Sequence, residues 1–304
     1  RSRGLGDVYK RQIIYGVIRS TLFVNKFIRR EDNMFKKAFL ILITAILIIE
    51  GGGCGMNSND IAKEQEKFNE WLKEFLEEQE LPNDYSKLND GQQYSVKRIY
   101  EMIMYLEDKY GIEFEYTGYV RAQILENEHL TAIPKGGNEK TDTVTVTCED
   151  DGTFTDDYPN VAVRPYYEQM ITDYVKNYFG SDKVRVFSRI FNTTIEDLSN
   201  ISEESIIGNV IGNSTVFISN DICNENEVKE FASIFAKWMQ ENHFVSDTQF
   251  MLLYNPDIEE LNPDKYSDYY SKNNIKIRLT CSVESDGRII TVSYTHLRAH
   301  ETGA

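Results

Sequence analysis

The feature that most narrows what this chain can fold into is a short apolar run near its start. Lys36 and Lys37 precede residues 38–49, which are apolar apart from Thr44. As a helix, twelve residues rise about 18 Å, well short of the roughly 30 Å hydrocarbon core of a bilayer. Such a run serves export rather than a stable span, with its basic flank in front and the small residues Gly51, Gly52 and Gly53 behind. Met34 is read as the start, because Arg29, Arg30, Glu31, Asp32 and Asn33 are encodable by a purine-rich stretch of the kind that precedes bacterial start codons. Residues 1–33 are therefore expected to be a non-native or untranslated leader and residues 34–53 a signal peptide, so that folding begins beyond them.

Cys54 ends the small-residue run, and Gly55 with the polar tract Met56, Asn57, Ser58, Asn59 and Asp60 follows it. This arrangement resembles the lipobox of bacterial lipoproteins, with Gly51 where that family usually carries Leu. The resemblance implies a diacylglycerol on the Cys54 thiol, cleavage just before it, and a lipid-anchored place on the extracytoplasmic face of the cell membrane. Two acyl chains supply the double hydrophobic signal that stable anchoring requires.

The two ends, residues 1–12 and 292–304, resemble translated linker tails that recur on unrelated metagenomic reading frames, and both are left out of the expected fold. Without residues 1–53 and 292–304 the chain holds 22 basic and 44 acidic side chains, a net charge of −22. An anionic body tethered to an anionic membrane stands away from it. The deficit of basic residues also argues against nucleic acid as a partner. The acidity itself is read as solubility rather than as cation binding.

Periodicity divides the remainder. Residues 54–91 are expected to form a tether and an amphipathic helix whose stripe is Ile61, Phe68, Trp71, Leu72, Phe75 and Leu76. A second helix is expected over 92–110, with Val96, Ile99, Met102, Ile103 and Leu106 on one face and Gly111 as its stop. Strands are predicted over 112–120, 130–134, 143–148 and 153–155, the last two joined by Asp151 and Gly152. A helix over 166–179 has Pro165 in its first turn and Gly180 at its end, and a strand over 183–190 follows. In the second half, Thr194 and Asp197 are spaced to cap a short helix reaching residue 207, and Asn224 with Glu227 caps a helix over 225–242. Its inner face is read as Val228, Phe231, Ile234, Phe235 and Trp238. Strands are expected over 214–219, 250–254, 275–283 and 288–291, the last pair turned by Asp286 and Gly287. The expected class is α+β, helices packed on mostly antiparallel sheet, as two small subdomains over 92–191 and 192–291, the second truncated. The acidic turn Glu149, Asp150, Asp151, Gly152 followed by Thr155, Asp156, Asp157 and Tyr158 is similar to that of uncharacterised lipoproteins of low-GC Gram-positive bacteria, a resemblance that implies no activity.

Catalytic patterns are sparse. His129 and His243 stand alone, with no HExxH spacing, and glycine-rich phosphate loops and nucleophile elbows are missing. Asp156 and Asp157 are adjacent, so on a strand they point to opposite faces instead of converging on a glycosidic bond. Asp221 and the residues Asn224 to Glu227 lack the spacing of a calcium loop and are read as a helix cap. No catalytic residue, metal ligand or cofactor is therefore assigned. Of the cysteines beyond Cys54, two can pair outside the membrane, with Cys223 and Cys281 as the favoured couple because both belong to the second half; the alternative is that these exported thiols stay unpaired. Tyr254, Tyr266, Tyr269 and Tyr270 cluster near Pro256 and Pro263, as a loop covering the sheet edge or as a binding face, since tyrosine joins a flat apolar ring to a hydroxyl. The leading expectation is a non-catalytic, lipid-anchored binding or accessory protein with a protein or cell-wall partner. The alternative is an exported cell-wall hydrolase using acidic residues.

Overall fold

The structure, a computed structural model, describes residues 58–124, 126–254, 258, 261–265 and 275–295. It divides into an N-terminal unit ending at Asn83 and a larger unit from Asp84 onward. The N-terminal unit contributes helix α1, Ser58–Glu78. Trp71 lies along its stripe, with ring centroids 4.7 Å from Phe75 and 6.4 Å from Phe68. The helix closes in a Schellman motif: Leu81 N–H donates to Leu76 O at 2.8 Å and Glu80 N–H to Glu77 O at 3.1 Å. Glu80 takes the left-handed position there, at φ 53. Pro82 follows at once, where the chain no longer offers a helical N–H.

The larger unit opens with helix α2, Asp90–Tyr110, whose start is a capping box in which Asn89 and Gln92 exchange bonds of 3.0 Å. Gly111 ends it at φ 68. The predicted stripe is the buried face, Val96, Ile99, Met102, Ile103 and Leu106, and it packs on a four-stranded meander. That sheet runs β1 (Phe114–Val120), β2 (His129–Pro134), β3 (Val144–Cys148) and β4 (Phe154–Asp156), all antiparallel and in sequence order. Leu130, Ala132, Val144 and Val146 are fully buried on it.

Helix α3, Tyr158–Phe179, leads into a five-stranded sheet: β5 (Val184–Thr193), β6 (Val210–Ser219), β7 (Val245–Leu253), β8 (Ile275–Val283) and β9 (Ile289–Thr295). Its pairs are antiparallel except β6 with β7, which run parallel because helix α5, Glu225–Glu241, crosses between them. A short helix α4, Glu203–Ile206, precedes β6. Helix α3 covers β5, and α5 covers β7 and β8. Strand alternation then produces two cores. Val216, Ile218, Phe250, Leu252, Ile277 and Leu279 meet Tyr167, Ile171, Phe231 and Phe235 under the helices. Phe217, Met251, Leu253 and Ile275 face the other way, against Ile258 and Leu261.

This architecture is α+β, as the periodicity indicates, but several boundaries move. Helix α3 starts eight residues earlier than 166, with Pro159 in its first turn and Pro165 in its interior. A proline suits a first turn equally well in either place, so the sequence alone favours neither. Segment 194–207 is mostly irregular: β5 runs on to Thr193, Leu198–Asn200 is a single 3-10 turn capped by Asp197, and Ser202 caps the four-residue α4. A boundary at 191/192 falls inside β5, which is bonded along its length to β6, so the second sheet begins before it. Strand β9 continues through Thr295, opposite Arg278, and thus enters the segment assigned to the tail. Ile234 is 38% exposed, and Ala232, Ala236 and Met239 complete the buried face of α5 in its place.

Cys223 and Cys281 do not pair; both are free, buried thiols, the alternative left open in the sequence. The register supplies the reason. Cys281 is level with Thr248 and Ser214, whereas Cys223 follows Ser219 at the opposite end of the sheet. Five strand residues separate the two levels by ~16 Å, against about 7 Å that a disulfide spans between Cα atoms. Burial pushes both thiols up to about 12.

Candidate functional site

Two of the sites expected from sequence fall wholly or partly outside the described residues. Cys54 and the export segment lie there, as do Tyr266, Tyr269 and Tyr270. Tyr254 is described: it follows β7, is 40% exposed, and carries Lys276 Nζ 5.8 Å from its ring centroid. His129 begins β2 with Nδ1 3.1 Å from Asn127 O, and His243 takes a left-handed turn after α5 at φ 56. No group of three or more His, Cys, Asp or Glu side chains placed to hold a metal occurs among the described residues, and no helix among them is long and apolar enough to cross a membrane.

What the fold builds instead are polar clusters around α2 and α3. In the first, the Glu128 carboxylate accepts from Arg98 Nε at 3.0 Å and Nη2 at 2.7 Å, from Tyr94 Oη at 3.3 Å and from Tyr119 Oη. Burial opposes its ionisation, but the bonds from Arg98 and Tyr119 outweigh it and hold the carboxyl below the usual range. Arg98 also lies over the Phe154 ring at 5.0 Å, which ties α2 to β4. In the second, Asp156 accepts from Lys109 at 2.6 Å, Tyr110 at 2.7 Å and Tyr105 at 2.8 Å. These carboxylates have their acceptor sites filled by neighbours, so they hold the meander to its helix.

Asp157, between the end of β4 and the start of α3, lines a cleft of about 350 Å³. Three stretches meet there: Lys140, Thr141 and Thr143 before β3; Asp157, Asn160, Val161 and Arg164 in the first turns of α3; and Ser188 to Phe191 in β5. Local geometry shapes each one. Asp142 accepts from Asn138 N at 2.8 Å and from Thr141 Oγ1 at 2.9 Å, which curls the segment before β3. Asn160 donates to Phe191 O at 3.3 Å and links α3 to β5. Pro165 has no N–H for the Val161 carbonyl, so the helix ladder is interrupted at the turn that faces the cleft.

Arg164 is the pivot. Its Nη2 donates to Asp142 Oδ1 at 2.7 Å and its Nε lies 3.9 Å from Glu168 Oε1, so the guanidinium fills the space between the two carboxylates. Glu168 in turn accepts from Ser188 N at 2.6 Å on β5. Nε and Nη1 of Arg164 are buried and have no hydrogen-bond partner. Arg189 sits across the cleft with its guanidinium 5.6 Å from the Phe191 ring centroid. Burial raises the carboxyls of Asp157 and Glu168, an effect that Thr145 N–H on Asp157 and Ser188 N–H on Glu168 oppose without reversing. Paired acids for glycoside hydrolysis stand about 5 to 9.5 Å apart across an open scissile bond. Here Asp157 and Glu168 are eleven residues apart on one helix, ~16 Å along its axis. The closer pair, Asp142 and Glu168, encloses an arginine.

None of Lys140, Arg164 or Glu168 stood out in the sequence. A lone arginine in an amphipathic helix looks the same whether it faces water or a cleft, and only Pro165 beside it hinted at an irregular turn.

No family model matches the chain, and no curated protein does. Among solved structures, the chain is similar to a DUF5037 family protein from Ruminococcus gnavus, with 13% identity and a TM-score of 0.39 over 64% of this chain and 94% of that one.

Proposed function

We propose that this protein is a lipid-anchored extracytoplasmic binding or accessory protein that works by holding a small polar ligand and not by catalysis. The observation that carries the binding half is a polar cleft of about 350 Å³ lined by Lys140, Asn160, Arg164, Ser188 and Arg189. A concave site with several side-chain donors and few apolar neighbours suits a small polar ligand. The non-catalytic half rests on the carboxylates. Glu128 and Asp156 are saturated by neighbours, and Asp142 and Glu168 flank a guanidinium where a hydrolase needs open space.

The anchoring half rests on Lys36, Lys37, the apolar residues 38–49 and Cys54. Metabolic labelling with palmitate, wild type against Cys54→Ala, tests it. Label in the membrane fraction of wild type alone is the expected result, and equal label in both removes the anchor. For the binding half, the expected result is a thermal shift with a polar small-molecule panel that Arg164→Gln abolishes; a panel that shifts both proteins equally places binding elsewhere.

A further inference from the structure

We propose that the cleft takes an uncharged sugar, with Asn160 and Arg189 bonding its hydroxyls and Phe191 packing on its C–H face. The inference rests on the binding role above and names the ligand class.

The charges of the cleft are matched among themselves. Arg164 lies between Asp142 and Glu168, and Lys140 Nζ donates to Asp264 O at 2.7 Å with the Asp264 carboxylate 3.9 Å away. Arg189 stands close enough to Asp157 to oppose the rise that burial imposes on that carboxyl. A charged ligand must compete with these internal partners and bring its own charge out of water, whereas a neutral one adds hydrogen bonds at neither cost.

Groups remain for such bonds. The Asn160 side chain spends one N–H on Phe191 O at 3.3 Å, and its oxygen and second N–H bond to nothing else among the described residues. Arg189 is exposed, and its guanidinium, 5.6 Å from the Phe191 ring centroid, donates no hydrogen bond to the described residues. Ser188 and Thr143 each add a hydroxyl to the lining. Amide and hydroxyl groups both donate and accept, as does every hydroxyl of a sugar.

Phe191 completes the match, a large apolar residue left 49% exposed while lining a polar cleft. A pyranose ring has polar edges and an apolar face of C–H groups, so an aromatic ring packs on the face while polar side chains bond the edges. A flat nucleobase wants apolar walls on both sides, and Phe191 is the one aromatic side chain lining the cleft among the described residues. At about 350 Å³ the space is at the small end of ligand sites, matched to about one or two sugar rings.

The test is calorimetric titration of the full-length chain in a mild detergent that carries no sugar headgroup. Glucose, galactose, N-acetylglucosamine and its dimer chitobiose are the neutral sugars. Glucuronate and inorganic phosphate are the anions, and N-acetyl-Ala-Ala-amide is the uncharged non-sugar. At least one neutral sugar is expected to bind tenfold or more above both anions and the peptide. Its affinity should be equal at ~50 and ~500 mM sodium chloride, since a neutral ligand has no charge to screen. Chitobiose bound more tightly than N-acetylglucosamine assigns the cleft to a glycan chain, and equal binding assigns it to a free sugar. Phe191→Ala is expected to weaken the binding about tenfold and Phe191→Tyr to retain it. Asn160→Ala and Arg189→Gln are expected to weaken it severalfold, with circular dichroism separating lost binding from lost folding. Glucuronate or phosphate bound above every neutral sugar, or an affinity that falls with salt, overturns the charge argument. The peptide amide bound most tightly overturns the sugar while leaving a ligand cleft. Sugar binding unchanged in both Phe191→Ala and Asn160→Ala overturns the site. Silence from every sugar overturns the inference, and the wider thermal-shift panel then decides the binding role by itself.

Discussion

Replacing Asp156 with asparagine tests whether the second polar cluster holds the meander to α2 by charge. The side chain of Asp156 has no solvent exposure and accepts from Lys109, Tyr110, Tyr105 and the Tyr158 N–H, the last at 3.0 Å. Hydrogen bonds to a charged group contribute about 1.5 to 3 kcal/mol each. Lys109 is 44% exposed and regains water when released, so its share falls to about 1 kcal/mol or less. An asparagine oxygen retains some of the remaining bonds, which leaves an expected loss of about 3 kcal/mol at pH 7. For a unit of this size that lowers Tm by roughly 6 to 12 °C. Burial raises the Asp156 carboxyl, but the bonds from Lys109, Tyr110 and Tyr105 prevail and hold it below the ordinary value of 3.8. A carboxyl depressed in the fold stabilises above its unfolded pKa, and that stabilisation disappears as pH falls through the folded pKa. Urea unfolding of wild type and Asp156→Asn should therefore show a gap that is full at neutral pH and shrinks progressively below the ordinary aspartate value. A gap that is the same at both ends of that range, or smaller than about 1 kcal/mol at pH 7, refutes the charge reading.

The adjacent residue should respond with the opposite sign. Burial raises the Asp157 carboxyl, so its contribution is full below the ordinary aspartate value and lost as pH rises through the folded pKa; Asp157→Asn keeps an acceptor for Thr145 N–H and should be neutral or slightly stabilising at pH 7 in the same urea assay. Gly212→Ala would place a Cβ 2.6 Å from the Arg189 carbonyl, pushing β5 away at the cleft wall, and should destabilise by about 2 kcal/mol or more in urea unfolding while weakening cleft binding. His243 occupies the left-handed place of a Schellman motif, with Phe244 N–H on Met239 O at 3.0 Å, so His243→Gly should raise stability by about 1 kcal/mol, read as a higher Tm. With a thiol reagent at pH 8, Cys223 and Cys281 should stay silent until the protein unfolds, and rapid reaction of either in the native state would contradict their burial.

The sequence by itself determined what acts over three or four residues. The Asn224 and Glu227 capping box, the left-handed stop at Gly111, the Asp286–Gly287 turn and the buried stripe of α2 depend only on near neighbours, and each was legible with its residues correct. The α+β class followed from the same signals, because the period of the apolar residues states which face each element must bury. Where two local solutions were equally good, as with Pro159 and Pro165 at the start of α3, only packing against β5 chose between them. The pairing of strands was likewise beyond local reach: β6 and β7 are parallel because α5 crosses between them, and that register is what sends Cys223 and Cys281 to opposite ends of the sheet. The cleft belongs wholly to the tertiary structure. It assembles residues near 140, 160 and 190, and an arginine N–H becomes an unpaired donor only once folding has taken it out of water and brought Asp142 to just one side of it.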